Sequence, residues 1–304
     1  MYFTSLPDHR NPDFDEPAHF SRFQQQNIIF NAISNKSHCD RHVGCLSIKI
    51  VRSGEEHYGV GKHRLTIRPG QLLILNNDQE YSCRIDTAGQ VRVQSVFFNK
   101  TFASAVFHDM LHAEGTLLDD PFTQPSRGPE FFQAIDHIDP VLEHELNNLM
   151  NRLNENGYES NMADEQLLFL LQHLIRLYKN EVKHANWVAA VKTSTKTEIF
   201  KRLCVARDFL HSSFADKPDL QAISRAACLS TPQLVRQFKI VFQTTPHQYL
   251  VKIKLSHAAR LLQHTLMPVQ EITWRCGFED SSAFCRAFTA AYGVSPLRYR
   301  ADIK

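Results

Sequence analysis

Arg236 and Arg286 stand in matched settings, Leu234-Val235-Arg236-Gln237-Phe238 and Phe284-Cys285-Arg286-Ala287-Phe288, 50 residues apart. A guanidinium offers a planar fork of N–H donors that fits a guanine edge, worth about 1–3 kcal/mol of discrimination, or a phosphate. Thr231, Gln233, Val235 and Lys239 surround the first arginine; Ser281, Ser282 and Ala283 precede the second. Hydroxyl, amide and ammonium groups can bond to bases or to the sugar-phosphate backbone, whereas Val235 offers only apolar contact, for example with a thymine methyl group. The small residues of the second set predict weaker sequence readout there. Each arginine has a plainer alternative: neutralising a nucleic-acid backbone, or closing an ion pair within the protein.

The elements that position these side chains are announced by a repeat. Leu220-Gln221-Ala222-Ile223-Ser224, Leu229-Ser230 and Pro246-His247-Gln248-Tyr249 return as Val269-Gln270-Glu271-Ile272-Thr273, Phe278-Glu279 and Pro296-Leu297-Arg298-Tyr299. The offset is 49 from Ile223 to Ile272 and 50 from Arg236 to Arg286, so the second copy carries one extra turn residue. Such a period marks duplicated supersecondary units. Each unit, about 219–242 and 268–291, reads as helix, tight turn, helix, which places one helix in a DNA major groove.

Asp219, Ser230 or Thr231, and Asp280 are the expected N-caps, with Pro232 in a first turn. Leu234, Phe238, Phe284, Phe288 and Trp274 are core by spacing, with Arg236, Gln237 and Lys239 on other faces. A helix from Pro246 to His264, nearly 30 Å long, would join the units over a span close to one DNA turn of about 34 Å. Gly277 suits a turn needing positive φ; Cys228 stands in its place in the first unit, and Gln243 stands where Gly293 does. Thr244, Thr245 and Ser295 precede helices and read either as phosphate cradles or as simple caps. Upstream, Thr195 and Glu198 read as a capping box opening a helix with Ile199, Leu203, Ala206 and Leu210 inward.

Charge divides along the same line. Residues 190–304 hold 17 Lys and Arg against 8 Asp and Glu, while residues 1–189 hold 17 against 24. That asymmetry marks a nucleic-acid-binding portion joined to something else, or, more plainly, a solvated basic face. No run reaches the length of a membrane span, and no signal peptide is read at Met1-Tyr2-Phe3-Thr4. The seven cysteines are scattered without a CxxC pair. The expected setting is therefore a reducing cytoplasm.

Residues about 196–302, a third of the chain, resemble the DNA-binding domain of the AraC/XylS-type transcriptional regulators. The match is strongest over Cys276-Gly277-Phe278-Glu279-Asp280-Ser281-Ser282-Ala283-Phe284-Cys285-Arg286-Ala287-Phe288 and Tyr292-Gly293-Val294-Ser295-Pro296-Leu297-Arg298-Tyr299-Arg300. Cys228 and Gln243 depart from the pattern and make the pose of the first reading helix less defined. The resemblance implies that Val235 and Arg236 look toward base edges. It also implies a cupin-like effector-sensing or dimerisation domain ahead of residue 196.

The sequence of that first part is β-rich over residues 26–100. Asn27–Phe30, Cys45–Val51, Leu72–Leu75 and Val91–Phe98 read as strands, with Arg68-Pro69-Gly70-Gln71 a turn, and predict a small barrel or jelly roll. Two helices follow. Asp139-Pro140 opens the first, with Leu142, Leu146, Leu149 and Leu153 as its stripe; the second runs from about Ala163 to Lys183 with Leu167, Leu171, Leu174 and Tyr178. These stripes suit a dimerising helix pair, or packing on the sheet of the same chain. His38, Cys39, His42 and Cys45 lack the HxH-plus-Glu spacing of metal-binding cupins. His112-Ala113-Glu114 lacks a PCxxC partner, and His144-Glu145 lacks the second histidine of HExxH.

The expectation is thus an α+β chain: a cupin-like effector-sensing domain over 1–136, a helical dimerisation pair over 137–184, a linker over 185–195, and an all-α DNA-binding domain over 196–304. Expected partners are double-stranded DNA, a small-molecule effector, RNA polymerase and a second copy of the chain. No cofactor, metal or catalytic residue is expected. Two alternatives stay open: a ligand-independent regulator whose barrel serves dimerisation or protein contact, and a cupin enzyme fused to a DNA-binding domain.

Overall fold

A computed structural model describes residues 1–112, 128–132, 135–190 and 192–302, without the side chains of 180–182. The chain separates into two compact units, Met1–Lys183 and His184–Lys304.

The first unit is built on one mixed sheet. Strands β1 (Tyr2–Phe3), β2 (Ile28–Val43), β3 (Ser47–Ser53), β4 (Glu56–Val60), β5 (His63–Ile67), β6 (Gln71–Leu75), β7 (Glu80–Phe97) and β8 (Ile135–His137) follow in chain order, with α1 (Glu16–Gln25) and α2 (Lys100–Leu111) between them. The pairing order is β1-β2-β7-β3-β6-β8, with β4 on β7 and β5 on β4. The long β2–β7 ladder runs from Ile28 opposite Phe97 to Val43 opposite Glu80, with irregularities at Ser34/Lys36 and Cys39/His42. Bulges of this kind bend a strand and increase its twist. They let the first half of β7 pair with β4 while its second half pairs with β3.

Pairing therefore leaves the sheet open among the described residues, where a small barrel or jelly roll was expected. The polar run Ser34–Arg41 gave no strand signal, yet it is strand because the ladder satisfies its backbone.

Alternation places side chains on both faces. Ile48, Ile50, Leu72 and Val96 enter one core; Val51, Leu73, Leu75, Val91 and Val93 enter another, closed by Tyr58, Leu65 and Ile67 of β4 and β5. The first core is covered by α3 (Pro140–Asn156) and α4 (Ser160–Ala185). Leu142, Leu146, Leu149, Leu153, Leu167, Leu171 and Leu174 are all buried in it beside the sheet residues. The stripes read as a dimer seam are thus occupied by the sheet of their own chain.

The second unit is helical. It contains α5 (Thr193–Ser213), a 3₁₀ turn (Phe214–Asp216), α6 (Leu220–Ala226), α7 (Thr231–Phe242), α8 (Pro246–His264), α9 (Val269–Arg275), α10 (Ser281–Tyr292) and α11 (Pro296–Ala301). The capping box expected at Thr195 and Glu198 does not form. α5 starts earlier, with Lys192 at its cap and no side-chain cap bond, and Glu198 instead accepts from Arg202 Nε at 2.9 Å. A carboxylate one turn from an arginine on an exposed helix face has that competing partner.

Asp139 caps α3, accepting from the backbone N–H of Val141 at 2.9 Å and of Leu142 at 3.2 Å, and it meets His173 Nε2 at 2.8 Å. Burial raises its pKa, but the His173 bond and the two N–H groups outweigh that and hold it below the ordinary aspartate range. A carboxyl with depressed pKa stabilises the fold above its unfolded pKa, and the contribution is lost as pH falls through the folded value. Asp139→Ala is expected to cost about 1 kcal/mol in urea unfolding at pH 7. The difference from wild type should shrink below about pH 4; an equal cost at both pH values would refute the charge argument.

Candidate nucleic-acid interface

Two helix-turn-helix units emerge from equal parts. Asp219 accepts from Ala222 N–H at 2.6 Å and starts α6; Ser230 accepts from Gln233 N–H at 3.4 Å and starts α7. In the second unit Pro268 precedes α9 without a side-chain cap bond, and Asp280 accepts from Ala283 N–H at 2.7 Å to start α10. α6 and α9 each span 7 residues, and α7 and α10 each span 12. The additional residue of the second copy lies between Gly277 and Asp280. Ile223, Ala227, Leu234 and Phe238 are buried in the first unit; Ile272, Cys276, Phe284 and Phe288 take the same places in the second.

Each tight turn depends on one left-handed residue, Cys228 at φ 51° and Gly277 at φ 69°. A cation from the preceding long helix fastens each. Arg202 Nη1 donates to the Cys228 carbonyl at 3.0 Å, and Lys254 Nζ donates to the Gly277 carbonyl at 2.8 Å. Lys254 is buried, and that burial lowers its pKa. Space differs between the turns: a Cβ on Gly277 would lie 2.8 Å from the Ala215 carbonyl oxygen and 3.2 Å from Lys254 Nζ. Cys228 is exposed and carries its side chain at the cost of backbone strain.

On α7, Arg236 and Lys239 are exposed and Thr231, Gln233 and Val235 are half-buried; on α10, Ser282 and Arg286 are exposed and Ser281 and Ala283 are half-buried. Neither arginine makes a hydrogen bond or ion pair among the described residues. The exposed edge runs Pro232, Arg236, Lys239 on α7 and Ser282, Arg286, Thr289 on α10, at i, i+4, i+7. Thr289 was missed by sequence reasoning, although adding the 50-residue offset to Lys239 points to it. The Thr231 hydroxyl lies 3.2 Å from that of Ser224.

α8 carries the units at its two ends. Its 19 residues span about 28 Å. Leu255, Ala258, Ala259 and Leu262 join the second unit's core, and Tyr249 meets Phe238 of the first with ring centroids 5.6 Å apart. Thr245 and Gln248 form a capping box at its start, and the buried Thr244 hydroxyl donates to Gln248. Ser295 accepts from Arg298 N–H at 3.4 Å. Capping is therefore what Thr245 and Ser295 do within the fold.

Two side chains depart from expectation. Trp274, read as core, is 60% exposed. α9 has only two turns, its inward positions are taken by Ile272, Thr273 and Cys276, and Trp274 points about 100° away. Gln237, placed on an outer face, is 1% exposed. Its amide oxygen accepts from Ala189 N–H at 3.1 Å and its amide nitrogen donates to the Ala189 carbonyl at 3.3 Å.

The first unit holds a second polar centre inside its sheet. Lys49 is 4% exposed, its ammonium lies 3.3 Å from the Phe97 ring centroid, and burial pushes its pKa down to about 8. Nearby Glu56 is pushed up to about 7, also by burial. With His42, Tyr58 and Tyr81 they line a cavity of about 50 Å³. It shares Leu6, Pro7, His19 and Phe30 with an outer groove of about 420 Å³. Among the described residues no group of three or more His, Cys, Asp or Glu side chains is arranged to hold a metal ion. Ala113 and Glu114 of the His112 motif lie outside the described residues. No helix among the described residues is long and apolar enough to cross a membrane.

A helix-turn-helix domain family matches residues 223–302. The chain is 31% identical over 159 residues to the HTH-type transcriptional activator RhaR of Salmonella dublin, covering 51% of this chain and 54% of that protein. RhaR of Salmonella typhi matches to the same extent. The chain thus spans about half the length of the curated relatives it matches. Among solved structures, the DNA-binding domain of AdpA in complex with a target DNA is 27% identical, covering 33% of this chain and 91% of that one, at a TM-score of 0.32. ToxT from Vibrio cholerae is 12% identical, covering 91% and 98%, at 0.36.

Gly277→Ala is expected to destabilise the protein by more than about 1 kcal/mol, because positive φ and the Ala215 contact both oppose a Cβ. Cys228→Gly should be neutral or stabilising by up to about 1 kcal/mol. Paired urea melts check this, and equal, same-sign shifts would show that the two turns are not equivalent in this way.

Proposed function

This chain belongs, through its C-terminal domain, to the AraC/XylS-type transcription regulators, and we propose that the whole protein regulates transcription by sequence-specific binding to double-stranded DNA. The observation that carries the reading is the pair of equal helices α7 and α10. Each presents an exposed, unpartnered arginine at the same position, and they flank a strut about 28 Å long. That span fits two successive major grooves on one face of the duplex. Arg236 and Arg286 meet base edges or phosphates, with Thr231, Gln233, Val235, Lys239, Ser281, Ser282 and Ala283 beside them. The starts of α8 and α11, at Thr244, Thr245 and Ser295, take up phosphates in this reading.

The N-terminal unit serves as a cupin-like sensor in this reading. A small-molecule effector enters the outer groove, whose volume of about 420 Å³ falls within the range of ligand sites, and the smaller cavity of about 50 Å³ lies behind it. Control then requires that the effector bind one arrangement of the protein better than another. A second copy of the chain and RNA polymerase are the expected macromolecular partners besides DNA, in the cytoplasm.

Selection of bound duplexes from a random library, with affinity followed against salt, tests the proposal. Two enriched boxes about one helical turn apart are expected, whereas uniform weak binding that disappears with salt would reduce the interaction to electrostatic attraction. On the selected duplex, the Arg236→Ala/Arg286→Ala protein should retain its fold and lose about 1–3 kcal/mol for each base contact removed. Unchanged affinity would overturn the assignment of these arginines.

A further inference from the structure

A pair of thiols in the sheet has no part in the DNA-binding scheme. Cys39 on β2 and Cys83 on β7 are direct partners in the antiparallel ladder. Directly opposed residues project from the same face, with Cα atoms about 4.5–5.5 Å apart. Disulfides need a Cα separation of about 4.4–6.8 Å, so the backbone already holds the pair at bonding range. Both side chains line the interior cavity, where each shifts the titration of the other as a hydrogen-bond partner. The break in register between Cys39 and His42 adjoins the pair and gives β2 room to adjust.

The surroundings favour a thiolate and admit a small oxidant. Lys49, His9 and His42 line the same cavity. The bond from Cys83 lowers the pKa of the Cys39 thiol well below the ordinary range; burial opposes this, and His42 and His9 reinforce it. Cys45 and Cys276 are pushed the other way by burial, to about 11 and about 12, and lack such a partner. Cys39 is buried and Cys83 half-buried, and the cavity they line shares Leu6, Pro7, His19 and Phe30 with the outer groove, the way in for a small oxidant.

We propose that Cys39 and Cys83 are an oxidation site, closed to an intramolecular disulfide by a hydroperoxide. The Cys39 thiolate attacks the peroxide: an S–O bond forms, the O–O bond breaks, and the departing oxygen leaves as water or an alcohol after taking a proton. Cys83 sulfur then attacks the sulfenic sulfur; the S–S bond forms, the S–O bond breaks, and water leaves with the Cys83 proton. Two thiols are oxidised and one peroxide is reduced. The bridge ties β2 to β7 in the register they already hold.

Full-length reduced protein is treated with a slight excess of hydrogen peroxide at neutral pH, alkylated, and mapped by non-reducing peptide mass spectrometry. Two of the seven thiols should be lost, the mass should fall by two hydrogen atoms, and the linked peptide should join Cys39 to Cys83, all reversed by dithiothreitol. Cys83→Ser should give a dimedone-reactive Cys39 and no disulfide. Wild-type protein that keeps all its thiols, or is oxidised only at exposed Cys228, would overturn the site, and neither result depends on a variant folding. The same treatment in urea gives the last arm. A sharply lower yield of the Cys39–Cys83 link is expected when the ladder is melted, and an undiminished yield would show that the register does not make the site.

Discussion

The helical unit depends on one constraint repeated twice: a chain reversal through a single left-handed residue, fastened at its carbonyl by a cation from the helix before it. Without that reversal the short helices α6 and α9 could not lay their apolar faces against α7 and α10. The fastening also removes a backbone acceptor from water in a place where no helix can satisfy it. Arg202 and Lys254 are different side chains on different helices, yet they act on equivalent atoms. The duplication has kept the interaction rather than the residue. The first turn tolerates cysteine because its Cβ points to solvent; the second is packed against Ala215 and leaves no volume for one.

In the sheet unit the comparable constraint is the β2–β7 ladder. It is long enough to serve β4 at one end and β3 at the other, and its bends let one sheet present two cores. The helices α3 and α4 then cover the outer core, which explains why their leucine stripes are not available elsewhere. Inside, Lys49 and Glu56 are buried in one cavity, and each is driven toward its neutral form by burial. Burying such groups costs folding energy.

Legibility in the sequence followed the source of each signal. Where a feature is set by neighbours within a turn or two of helix, it could be read: α8 begins at Pro246 and ends at His264 as expected, α3 begins behind Asp139, and Asp280 and Gly277 do what their types suggest. The 50-residue offset also held the signal for the exposed Thr289, counterpart of Lys239, which was not drawn from it. Features set by distant chain were not legible. The polar half of β2 is strand only because β7 lies beside it, and β4 and β5 are pieces of five residues each, too short to stand out. Trp274 and Gln237 were misplaced for a related reason. Spacing gives a helix face, but not which neighbour occupies it, and Gln237 is inward only because the Ala189 backbone needed an amide partner.

That amide has a mechanical consequence. Gln237 grips both polar groups of Ala189, whereas the residue 50 places on is Ala287, which has no group to grip with. The two 12-residue helices are therefore not equally anchored: among the described residues α7 is hydrogen-bonded to the Ala189 backbone, and α10 has no counterpart of that pair of bonds.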